Sequence, residues 1–118
     1  MWSGKVNTAN EIIKLSDGIT KYKYIDIYVN SSGNLAIQTF DSARDYFLCK
    51  MFNISDNLTG TFLLVEEISF LKTNNITLTL ASSNCIEWVW SGKLNEAPYK
   101  QSSDVTGNVF VYKIVGRN

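Results

Sequence analysis

Hydrophobic residues in this chain recur at every second position far more often than at helical spacing, and that period predicts strands from end to end. Across residues 24–29, Ile25, Ile27 and Val29 fall on one face and Tyr24, Asp26 and Tyr28 on the other, the pattern of a half-buried strand. Across 75–81, Ile76, Leu78 and Leu80 point inward while Thr77 and Thr79 point outward, where a β-branched side chain suits the pleat. The run 108–115 sets Phe110, Tyr112 and Ile114 against Val109, Val111, Lys113 and Val115. Apolar on both sides, it predicts a central strand. Further strands are expected at 11–15, 34–40, 46–52, 61–71 and 85–90. Turn residues at 16–18, 30–33, 54–60, 72–75 and 82–84 separate them.

Two segments compete for helix. Residues 40–52 have Asp41 and Ser42 where a cap could form, and 63–71 place Leu64, Ile68 and Leu71 at helical spacing. Their aromatic and β-branched residues favour strands instead, with a bulge near Glu66-Glu67 in the second. The fold class is therefore all-β: an antiparallel β-sandwich, jelly-roll-like, of eight or nine short strands. Its 118 residues make one domain, 1–118. Met1 directly before a strand-like Trp2 suggests a fragment or C-terminal domain of a longer protein.

Charge narrows the partners. Lys+Arg and Asp+Glu balance at 11 each, so nothing draws the whole chain to phosphate backbones, and nucleic acid is not an expected partner. The longest apolar run, 62–65, is far short of the roughly 20 residues of a membrane span, so no membrane insertion is expected. The chain has no histidine, and Cys49 and Cys85 lack ligand spacing, which removes most zinc sites and every His-dependent triad. Both cysteines sit in apolar alternating runs and read as buried thiols. No metal or cofactor is expected. A glycosidase needs two facing carboxylates, and Asp26 and Glu87 have outward parity. No spacing selects that pair, both read as surface charge, and no enzymatic activity is expected.

Aromatic residues make up 13% of the chain. Tyr22, Tyr24 and Tyr28 share one parity, interleaved with Lys21, Lys23 and Asp26, a surface suited to a sugar or a partner subunit. Trp88 and Trp90 share another, and after them comes the longest aperiodic stretch, 94–108, with the sole proline, Pro98, beside Tyr99. Loops of that length often carry function. The candidate ligand-binding residues are Trp88, Trp90 and Tyr99, as stacking rings, with Asn95, Gln101 and Asp104 as polar partners.

Trp2-Ser3-Gly4-Lys5 recurs as Trp90-Ser91-Gly92-Lys93. Similarity does not extend past the four residues, so the copies read as two separate strands in which a large apolar residue is buried beside a close-approach glycine.

The opening Trp2-Ser3-Gly4, the Leu15-Ser16 turn, Tyr22 or Tyr24 before Ile25 and Ile27, and a closing Tyr112-x-Ile114-x-Gly116 together resemble the small β-sandwich domains at the C-termini of bacteriophage tail-fibre, baseplate and minor structural proteins. The likeness covers the two ends, about half the chain. The second Trp-Ser-Gly-Lys is not part of that pattern. What the resemblance implies is a receptor-binding domain of the virion tail, often a homotrimer, that meets host cell-surface glycan and other tail proteins. It carries no site residue across. The alternative is a structural trimerisation or capping module without a ligand, and a glycan depolymerase is a third reading.

Overall fold

The computed structural model describes residues 1–31, 33–57, 60–90, 99–101 and 109–118, with side chains described at 1–31, 33–52, 65–83 and 109–118. Among the described residues there are nine strands: β1 (Trp2–Val6), β2 (Ile12–Lys14), β3 (Tyr24–Ser31), β4 (Asn34–Asp41), β5 (Tyr46–Asn57), β6 (Gly60–Asn74), β7 (Thr77–Trp90), β8 (Tyr99–Gln101) and β9 (Val109–Arg117). A 3₁₀ turn, Ile19–Lys21, precedes β3. Two antiparallel sheets form, one in the order β1-β9-β3-β4 and one in the order β2-β7-β6-β5, with β8 added along β7. The pairing of β1 with β9 and of β2 with β7 gives the outer wrap of a jelly roll, while β3–β4 and β5–β6–β7 are plain hairpins.

The core lies where the period-2 pattern put it except at Ile76, expected inward but 50% exposed in the turn before β7. Ile25, Ile27 and Val29 of β3 and Val109, Val111 and Ile114 of β9 face Phe47, Cys49, Ile68, Phe70, Leu78 and Leu80 of the second sheet. Burial pushes the Cys49 thiol up to about 12, so it stays protonated and packs as a small apolar group. Cys49 stands opposite Ile68 on one side of β6, and Cys85 opposite Glu66 on the other. Two strand spacings, about 9.5 Å, and a further offset of two residues along β6 separate their backbones, beyond the reach of a disulfide.

Several sequence expectations need correction. The turn expected at 54–60 is narrower, since β5 runs through Asn57 and β6 begins at Gly60. Residues 63–71 hold no bulge at Glu66-Glu67; register is continuous there, and the shifts fall between Ser69 and Phe70 and between Lys72 and Asn74. The turn expected at 82–84 is instead the middle of β7. Ser82 is accommodated there by a cross-strand hydroxyl contact, Ser69 Oγ to Ser82 Oγ at 2.6 Å. The strands are also not uniformly short, since β5, β6 and β7 run to 12, 15 and 14 residues against at most 9 in the first sheet. At about 3.3 Å per residue β6 spans about 50 Å, close to the 53 Å long axis of the molecule.

Several residues behind the tail-protein resemblance meet in the first sheet, whereas Leu15, Ser16 and Tyr22 lie outside its strands. Trp2 pairs with Ile114, Ile25 with Gly116, and Ile27 with Ile114. The Trp2 ring lies over Gly4, where an added Cβ would stand 2.6 Å from it, and the Tyr22 ring lies over Gly116 at 2.3 Å by the same measure. Both glycines are required by close approach of a ring, which accounts for Trp-Ser-Gly at the first copy. Residues 91–93 of the second copy lie outside the described residues. These end motifs are thus packing motifs.

Candidate functional site

Sheet one turns its outer face to solvent, and the parity of β3 sends Tyr24, Asp26, Tyr28 and Asn30 onto it. On the neighbouring β9, strict alternation would have kept Phe110, Tyr112 and Ile114 together. It is broken by a bulge: Tyr28 pairs with Lys113 but Val29 with Val111, leaving Tyr112 as the extra residue. A bulge changes which face the following residues occupy. Phe110, Tyr112 and Lys113 therefore join Tyr28 outside, while Ile114 goes to the core. The expectation that Ile114 shares a face with Phe110 and Tyr112 is overturned by that one residue. On β1 the register moves as well, with Ser3 opposite Lys113 and Val6 opposite Val111, which brings Lys5 over Phe110.

The resulting surface is a chain of rings set edge to face. Tyr28 and Tyr112 have centroids 6.0 Å apart at 71°, and Phe110 and Tyr112 6.5 Å apart at 68°. Cations lie over them: Lys5 Nζ 4.6 Å from the Phe110 centroid, Lys113 Nζ 5.2 Å from Tyr28, Lys23 Nζ 5.3 Å and the Arg117 guanidinium 5.0 Å from Tyr24. At the centre sits Asp26, only 8% exposed. Its carboxylate accepts bonds from Arg117 Nε at 3.0 Å and Nη2 at 3.3 Å, and from Thr39 Oγ1 at 2.7 Å. The Arg117 bond, helped by Thr39 and by the guanidinium charge, holds the Asp26 carboxyl below its ordinary value against the opposing effect of burial.

Tyr22 does not belong to this face. It follows the 3₁₀ turn, packs against the core edge over Gly116, and donates from its hydroxyl to Asp17 Oδ2 at 3.1 Å. Asp26 is likewise unavailable as half of a glycosidase pair with Glu87, because it is committed to Arg117 and Thr39 on one sheet while Glu87 belongs to the other.

Of the residues named from the sequence, four are placed by their backbones. Trp88 stands opposite Lys100 and Leu63, Trp90 opposite Thr61, Tyr99 opposite Val89, and Gln101 opposite Glu87. The short β8 thus brings Tyr99 and Gln101 alongside the tryptophan-bearing end of β7. Their side chains, and Asn95 and Asp104 altogether, lie outside the described residues. Sequence reasoning found Tyr24 and Tyr28 but missed Phe110, Tyr112, Lys5, Lys113 and Arg117. The one signal for Phe110, Tyr112 and Lys113 was the doubly apolar run 108–115, whose phase the bulge hides; Lys5 and Arg117 had none.

A concavity lies where the edges of β4 and β5 adjoin. It is a groove of about 330 Å³ lined by Ser31, Asn34, Leu35, Lys50 and Phe52 among others. Gln38 stitches it, donating from Nε2 to the Lys50 carbonyl at 2.6 Å and accepting the Lys50 N–H at 3.3 Å. Leu35 (68%) and Phe52 (63%) are exposed at this groove, whereas exposed Ile37, opposite Tyr28, lies on the outer face of the first sheet and exposed Leu48 on the outer face of the second.

No family model, curated protein or solved structure matches the chain.

Proposed function

We propose that this chain is a binding domain of a bacteriophage tail that recognises host cell-surface carbohydrate through the outer face of its first sheet. The observation that supports it is the cluster of Tyr24, Tyr28, Phe110 and Tyr112 on one exposed sheet, with ring edges, hydroxyls and ammonium groups within a few ångströms of each other. Aromatic rings receive the C–H faces of pyranoses, and phenol and ammonium groups bond their hydroxyls. The tail setting rests on the end motifs. A single shallow face of this kind binds weakly, and several copies on one tail raise the avidity through effective concentration.

On an array of bacterial surface polysaccharides, Tyr28→Ala is expected to weaken binding about tenfold, the scale of one lost ring stack, with the urea midpoint near that of the parent. Unchanged binding by Tyr28→Ala together with loss in Trp88→Ala or Trp90→Ala would move the site to the β7–β8 end.

The alternative, a trimerisation or capping module, is favoured by a different observation, the exposed apolar pair Leu35 and Phe52 lining the groove between β4 and β5. Light scattering decides it: a particle of three 13.3 kDa chains that Phe52→Glu dissociates, with no polysaccharide bound by either form, is the result that reading requires.

A further inference from the structure

Resting on the carbohydrate reading, we infer that the glycan bound by the first sheet is anionic, a polysaccharide carrying carboxylate or sulfate groups. The chain's charges cancel overall, yet they are not spread evenly. Lys5, Lys23, Lys113 and Arg117 all lie over rings of this face, whereas the acidic residues whose register places them there are Asp26 and Asp41. Asp26 is already taken by Arg117, and Asp41 turns its Oδ1 to the Ala43 N–H at 2.8 Å.

Lys21, Lys50 and Lys72 elsewhere each have a carboxylate partner. Lys5, Lys23 and Lys113 take part in no ion pair among the described residues. A cation–π contact at an exposed site is worth only about 0.5–1 kcal/mol, so each ammonium can swing to an incoming anion without breaking a strong bond. A ring face for the sugar and an uncommitted ammonium about 5 Å from its centre together match a pyranose that bears a negative group. The same combination of rings and cations serves single-stranded nucleic acid, but the balanced charge of the whole chain gives no broad attraction for a phosphate backbone.

The test compares the intact chain on polygalacturonate with its fully methyl-esterified form, and on dextran sulfate with dextran, by affinity electrophoresis at 50 and 300 mM salt. Retention by one acidic polymer at least about tenfold above its neutral parent is expected, falling with salt. The double substitution Lys5→Gln, Lys113→Gln, at two exposed positions, is expected to remove most of it without moving the urea midpoint. Equal retention by acid and neutral forms overturns the anionic assignment and leaves the carbohydrate reading standing. Retention by none of the four overturns both. Tighter binding to a thymidine 20-mer than to either acidic polymer overturns the assignment in favour of nucleic acid.

Discussion

Phe47→Ala is expected to lower folding stability by about 3–5 kcal/mol, the largest effect of any single substitution considered for this fold. Phe47 is fully buried on β5. It stands opposite Phe70 across the β5–β6 ladder and meets Phe40 of the first sheet edge to face, with centroids 5.4 Å apart at 79°. The ring thus joins the two sheets at the side where β5 adjoins β3 and β4. Removing it leaves a cavity bounded by strand backbones that the Gln38–Lys50 bonds hold in place, so collapse around the gap is limited. Urea unfolding reads the effect as a lower midpoint at unchanged slope. A loss under about 1 kcal/mol would mean that the two sheets are not packed as described.

Arg117→Ala follows, at about 1.5–3 kcal/mol near neutral pH, the range for hydrogen bonds to a charged group. The substitution strips two donors from the nearly buried Asp26 and leaves Thr39 alone to serve it. The pH dependence has a definite sign. Because the folded pKa of Asp26 lies below its unfolded value, the contribution of the ionised carboxylate is complete above the unfolded pKa of about 3.9. It is lost as the pH falls through the folded one. In the variant burial is left with less opposition, and the Asp26 carboxyl titrates higher. The gap between parent and variant urea midpoints is therefore expected to be wide at pH 7 and to narrow below pH 4. A gap that is the same at pH 7 and pH 3 would show that the ion pair does not stabilise the fold.

Much of this architecture is legible in the residue pattern, because strand parity is a local property. Ile25, Ile27 and Val29 cannot face the core without sending Tyr24, Asp26 and Tyr28 out, and no tertiary information is needed to see it. What local pattern does not contain is register. Tyr112 is one residue more than its neighbours require, and that single insertion assigns Phe110, Tyr112 and Lys113 to the outside and Ile114 to the inside. Ser82 and Ser83 read as a turn because serine is common in turns. Only the partner strand, with Ser69 opposite Ser82, shows why the chain runs straight on. Arg117 gave no sign of its role, since 91 residues separate it from Asp26. The candidate site drawn from Trp88, Trp90 and Tyr99 followed tryptophan and loop length. The face built here follows ring geometry and charge, two properties that appear only when β1, β9 and β3 lie side by side.

The most direct test is to titrate the isotope-labelled chain with short oligogalacturonates and follow its backbone amide resonances. The account predicts shifts concentrated at Lys5, at Tyr24 to Tyr28 and at Phe110 to Arg117, with Leu48 to Phe52 and Ile68 to Leu71 unmoved. Shifts confined to Glu87–Trp90 and Tyr99–Gln101, or none at saturating ligand, would contradict it.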